Sequence, residues 1–104
     1  MGKNTKLLLI FLDETDVWGE FPLYEAIVRL LLQHGIAGAT VNQGIMGYGF
    51  QQRVHHKRLF GISDDRPVTI LVVEEDEKLR NVLPEIRSMI GDSLMVVLDA
   101  DVLT

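Results

Sequence analysis

An α+β domain whose elements run strand, helix, strand, strand, helix, strand is what this 104-residue sequence predicts, and three observations carry the prediction. Four short apolar runs rich in Leu, Ile and Val recur along the chain, each about the length of a buried strand. Two intervening segments place their apolar residues three and four positions apart, the spacing of one helix face. Glycine or proline stands at most of the joints.

Taken in order, Lys6 to Leu12 is an apolar run that ends at the acidic turn Asp13 to Asp16 and reads as a buried strand. Pro22 follows where the first turn of a helix accepts proline, and Leu23, Ile27, Leu30 and Leu31 continue at helical spacing until Gly35 stops them. His34 suits the C-terminal end of that helix. Ile36 to Gln43, with Thr40 and Val41, reads as a second strand. Val68 to Val73 is β-branched, bounded by Pro67, and gives the third. Four acids from Glu74 to Glu77 suit the start of a helix, where they complement its dipole. Leu79, Val82, Leu83, Ile86, Met89 and Ile90 then form one face, Pro84 should bend the helix, and Gly91 ends it. A last strand is expected from Leu94 to about Val102.

This order is the split βαβ arrangement of a ferredoxin-like fold, a single domain over residues 1–104 with a four-stranded antiparallel sheet. Right-handed crossovers place both helices on one face of that sheet. Yet Leu7, Leu9 and Phe11 alternate with Leu8, Ile10 and Leu12, so both faces of the first strand are apolar. Val68, Ile70 and Val72 alternate with Leu71 and Val73 in the same way. One helical layer covers one face, and the other is expected to be buried against a second copy of the chain.

Residues 44–67 form a connection longer than compact domains ordinarily carry, and function is expected there. Four cations (Arg53, Lys57, Arg58, Arg66) and two anions (Asp64, Asp65) give it a charge of +2, which leaves −7 on the remainder of a chain whose total is −5. An acidic chain with one small positive patch suits a compact anion or an acidic partner surface and argues against binding nucleic-acid polymers. Gly44, Gly47 and Gly49 allow close backbone approach and positive φ, and their successive amides suit an anion nest, although glycines at a strand exit are also ordinary turn residues. Their spacing fits neither the Walker pattern nor the dinucleotide fingerprint. Arg53, His55, Lys57, Arg58 and Arg66 complete the candidate ligand-binding set.

Other chemistry finds less footing. The chain has no cysteine, which fits a reducing cytosol and removes thiolate catalysis and zinc–thiolate sites. No catalytic residue is assigned, because no nucleophile has an evident base, and Ser63 beside Asp64 and Asp65 reads as turn chemistry. No metal site is assigned either. His55 and His56 point apart in extended chain, and Glu74, or Asp99 with Asp101 on one strand face, supply alternatives for a divalent cation. The apolar runs are too short to span a membrane, no secretory signal is recognisable, and a cytoplasmic location without membrane insertion is expected.

Glu14-Thr15-Asp16, Pro22-Leu23-Tyr24-Glu25, Gly35-Ile36-Ala37-Gly38-Ala39-Thr40-Val41, Gly44-Ile45-Met46-Gly47-Tyr48-Gly49, His55, Ser63, Asp65, Pro67 and Val73-Glu74 fall in the order and spacing of an uncharacterised PII-like family. That family resembles the PII signalling and CutA proteins in fold, and the match covers nearly the whole chain. The resemblance implies a homotrimer with sheets turned inward and ligand clefts between subunits near the long loop. In the wider superfamily such clefts commonly bind adenine nucleotides, and the loop reports occupancy to a partner. Some family members are associated with a CrcB-type fluoride channel, which implies a membrane channel or an enzyme as partner. The chain departs from the family pattern at Gln43, where a basic residue is common, and at Arg66, where leucine is common. The expectation is a regulatory protein without a resident cofactor that binds an anionic small molecule, an adenine nucleotide, between subunits. The alternatives are a metal-binding CutA-like protein and a ligand-independent adaptor.

Overall fold

The computed structural model describes residues 4–48 and 66–104. Its elements are β1 (Thr5–Asp13), β2 (Val17–Trp18), β3 (Phe21–Pro22), α1 (Leu23–Gln33), β4 (Thr40–Gln43), β5 (Pro67–Glu75), α2 (Asp76–Ile90) and β6 (Met95–Asp99). β1, β4, β5 and β6 form one antiparallel sheet in the order β4-β5-β1-β6, and β2 and β3 form a separate small hairpin. With two helices over the sheet, this is the α+β ferredoxin-like fold. None of the described helices is long and apolar enough to cross a membrane.

Alternation along the two central strands sets the layers. Leu8, Ile10 and Leu12 of β1 and Val68, Ile70 and Val72 of β5 are buried on one face. They pair across the strands as Leu8↔Val72, Ile10↔Ile70 and Leu12↔Val68. Leu23, Ile27, Leu30 and Leu31 of α1 and Leu79, Val82, Ile86 and Ile90 of α2 complete this side. Each fully buried aliphatic side chain contributes about 1.5–3 kcal/mol, so this layer supplies most of the folding drive. Met95 and Val97, opposite Ile10 and Leu8, close it at the edge.

The other face carries Leu7, Leu9, Phe11, Leu71, Val73, Val96 and Leu98, with Leu9 paired to Leu71 on one side and Val96 on the other. No helix lies over it within the described chain. Phe11, Val73 and Leu98 remain 37%, 40% and 47% exposed. The two apolar faces expected from the alternation are therefore present, one covered and one open.

Both helices are bounded by local chemistry. The amide of Leu23 at the start of α1 donates to the Asp16 carbonyl at 2.8 Å, which satisfies a donor the helix itself leaves unpaired. At the other end the Gly35 amide donates to Leu32 and the Ile36 amide to Leu31, the paired bonds of a Schellman ending. The His34 ring lies 3.5 Å from the Glu85 carboxylate of α2. α2 ends at Gly91, where Arg87 donates to the carbonyls of Gly91 and Ser93 at 2.6 and 2.9 Å.

Three boundaries differ from the sequence reading by more than one residue. α2 begins at Asp76, because Glu74 and Glu75 remain in β5, where Glu74 follows Val68, Ile70 and Val72 onto the covered face. β4 begins at Thr40, since the Ala37 amide is taken by a side chain instead of a strand partner. β6 ends at Asp99, with the Ala100 amide donating to the Thr5 carbonyl as its last bond to β1.

Candidate functional site

The ends of β1, β4 and β5 meet where the long connection leaves and rejoins the sheet. β4 pairs with β5 down to Gln43↔Val68, and the next amide, that of Gly44, donates to the Pro67 carbonyl at 2.7 Å. Proline has no amide to return that bond, so the ladder ends here. A Cβ on Gly44 would lie 2.7 Å from the Pro67 ring, closer than real contacts allow, while one on Gly47 would lie 3.4 Å from the same ring in ordinary contact. Neither Gly44 nor Gly47 has positive φ. The crowding by Pro67, and not a left-handed backbone, is what requires glycine at position 44.

Glu14 closes the same neck from the other side. Its amide donates to the Arg66 carbonyl at 3.0 Å, one step beyond the last β1–β5 pair, Asp13↔Pro67. The Arg66 amide donates in return to the Glu14 carboxylate at 2.9 Å. The second carboxylate oxygen accepts from the Gln43 side chain, whose amide nitrogen must be the donor because a carboxylate only accepts. Gln43, which departs from the family's basic residue, thus supplies a donor to Glu14.

The turn that follows is cross-braced. The Asp16 amide donates to the Asp13 carbonyl, the Asp13 amide to the Asp16 carboxylate, and both the amide and hydroxyl of Thr15 to the Asp13 carboxylate, all at 3.0–3.1 Å. Ile45, Met46 and Tyr48, just past the neck, are 87%, 62% and 79% exposed. Of the candidate ligand residues, Gly44, Gly47 and Arg66 belong to this neck region, with Arg66 exposed. Gly49, Arg53, His55, Lys57 and Arg58 lie outside the described residues.

Of the residues considered for a metal, His55 and His56 lie outside the described residues, and Glu74 and Asp99 are engaged otherwise. Glu74 is buried, and its two carboxylate oxygens accept from the Ala37 amide at 2.9 Å and the Glu75 amide at 3.0 Å. Lys78 stands 3.8 Å from it and donates to the Gly35 carbonyl at 2.9 Å. Burial acts to push its pKa up, but the two amides and Lys78 together outweigh burial and hold the carboxyl below its ordinary value. Glu74 is a brace between the α1–β4 connection and the start of α2. Asp99 is paired with Lys6, whose hydrogen bond and charge lower its pKa, and Asp101 lies beyond β6. Among the described residues no three His, Cys, Asp or Glu side chains gather as a metal site.

A shallow depression of about 420 Å³ lies at the far end of β5 from the neck, lined by Asn4, Glu75, Asp76, Glu77, Arg80 and Asn81. Its carboxylates make it a poor seat for a phosphate.

The sequence of residues 5–102 matches the model of the DUF190 family, described as "Uncharacterized ACR, COG1993". A UPF0166 protein of Aquifex aeolicus is 31% identical over 98 residues, spanning 94% of this chain and 92% of that one. A UPF0166 protein of Methanocaldococcus jannaschii is 36% identical over 100 residues, spanning 95% and 92%. Among solved structures, the divalent ion tolerance protein CutA1 of Ehrlichia chaffeensis superposes with a TM-score of 0.67 at 15% identity, over 98% of this chain and 86% of that one. CPII of Thiomonas intermedia K12, a nitrogen regulatory PII-like protein bound to ADP, AMP and bicarbonate, gives 0.60 at 19% identity, over 94% and 89%. At these identities the structural likeness establishes the fold.

Proposed function

This chain belongs to the DUF190 family, and we propose that it is a PII-like regulatory protein rather than an enzyme, binding an adenine nucleotide between subunits and signalling through the connection 44–67. The observation that carries the reading is the neck: two strand ends and an exposed arginine converge at the base of a connection whose sequence holds three further cations. A fold shared with a PII-like protein bound to ADP and AMP gives that arrangement its most economical use.

The open apolar face supports self-association. Leu7, Leu9, Phe11, Leu71, Val73, Val96 and Leu98 form a continuous patch of the kind soluble monomers seldom expose. Three copies joined through these faces would set the neck of each beside its neighbours, and a soluble channel-facing or enzyme-facing loop would then read ligand occupancy.

The CutA likeness favours a metal-binding alternative. Glu74 and Asp99 give it little support, since both carboxylates are already satisfied by amides or by Lys6.

The experiment is a thermal-shift series of the purified protein with AMP, ADP, ATP, cyclic nucleotides, Zn²⁺ and Cu²⁺. A ligand binding only the folded state stabilises it by about 2.7 kcal/mol at a hundredfold excess over Kd. A shift selective for one nucleotide, reduced in Arg66→Ala, is expected. A shift with metal alone would replace this reading with the CutA-like one, and no shift at all would favour an adaptor.

A further inference from the structure

We infer that Glu14 is the positioning residue of the loop neck, a single carboxylate that fixes the ends of β4 and β5 against the end of β1. In a regular antiparallel pair, two opposed residues exchange two backbone bonds. At Glu14 and Arg66 one of these is made in the ordinary way, from the Glu14 amide to the Arg66 carbonyl. The other is made by the side chain, because the Arg66 amide donates to the Glu14 carboxylate in place of the Glu14 carbonyl. The main chain turns away at this point into the Asp13–Asp16 brace, and the side chain completes the rung it leaves open.

The same carboxylate holds Gln43, the last residue of β4. Gln43 ends β4 and Arg66 immediately precedes β5, and beside them the Gly44 amide donates to the Pro67 carbonyl at 2.7 Å. The two ends are therefore held at one separation by Glu14 from outside the β4–β5 ladder. Glu14 is half-buried, and the braced turn that carries it also presents the Asp16 carbonyl to the first amide of α1. Its position is thus tied to the frame of the domain through that turn.

The inference deepens the regulatory reading and rests on it for its biological meaning, because the neck fixes where Arg66 is presented. Its physical content is independent of any ligand. The test is amide hydrogen exchange, followed by NMR on ligand-free protein, in Glu14→Ala, Glu14→Gln and Gln43→Ala. In Glu14→Ala the Arg66 amide should exchange at least about tenfold faster, the factor for losing a hydrogen bond to a charged acceptor, while the Ile10 and Ile70 amides keep their rates. Glu14→Gln retains an acceptor for Arg66, and the Gln43 amide can turn to accept from the new side chain, so protection should return. Gln43→Ala should speed exchange at Gly44 while leaving Arg66 protected.

Unchanged exchange at Arg66 in a folded Glu14→Ala protein overturns the inference. Should that variant fail to fold, Gln43→Ala decides, and an unaltered Gly44 rate there overturns the shared-carboxylate arrangement. Because the exchange is measured without nucleotide, a failed nucleotide screen sinks the proposed function and leaves this result standing. Nucleotide binding with an unaltered neck does the reverse.

Discussion

Replacing Glu74 by glutamine removes one charge from the covered side of the sheet and nearly no volume. In the folded protein the carboxylate accepts from the Ala37 and Glu75 amides, with Lys78 at 3.8 Å. Glutamine offers one carbonyl oxygen and turns an NH2 group toward the second amide, so one acceptor becomes a donor facing a donor. A hydrogen bond to a charged acceptor contributes about 1.5–3 kcal/mol, and leaving a buried donor unpaired costs about 1–3 kcal/mol. The expected loss is about 2–4 kcal/mol. For a domain of this length each kcal/mol moves Tm by roughly 4–8 °C, so a fall of about 8–32 °C is expected by calorimetry. The pH dependence follows from the lowered folded-state pKa. Above the ordinary glutamate value both folded and unfolded chains are ionised, and the contribution is complete. As pH falls through that value the unfolded chain takes up its proton first, and stability declines until the folded-state pKa is passed. Glu74→Gln should lose this part of the acid slope. A variant as stable as the parent, with the same slope below the ordinary glutamate range, would refute the brace.

Gly44→Ala should destabilise by about 1–3 kcal/mol through collision with Pro67, whereas Gly47→Ala should be tolerated far better; paired denaturant midpoints check the difference. Leu9→Asp places a charge at the centre of the open face, and multi-angle light scattering should show a smaller particle with unchanged far-ultraviolet circular dichroism. An unaltered mass would mean that the open face is not the interface.

The fold was legible because its signals are periodic and local. Leu8, Ile10 and Leu12 alternate with Leu7, Leu9 and Phe11, and the α1 face Leu23, Ile27, Leu30 and Leu31 reads directly from spacing. The β2–β3 hairpin was missed, since two-residue strands are too short to show alternation. Its available signal was Gly19 between Trp18 and Glu20, where φ of +62° at the first central position fits a two-residue turn. The four acids at Glu74 to Glu77 concealed a strand end, although continuing the Val68, Ile70, Val72 alternation places Glu74 on the covered face.

The neck was harder, for a physical reason. Glu14 gains its role from Gln43 and Arg66, partners 29 and 52 positions away. Gly44 is constrained by a proline ring that only tertiary pairing brings near. Glycine in a strand exit advertises freedom, and here it records crowding.

Because the amide of Gly44 meets the carbonyl of Pro67 directly, the chain between them starts and finishes at one point on the sheet. Closure at one point makes the entropic cost of that connection depend only weakly on its length, since each doubling of a loop adds only about 0.6 kcal/mol. Natural selection, or a protein engineer, can rewrite, lengthen or replace that cassette to suit a new partner while the sheet and helices stay untouched.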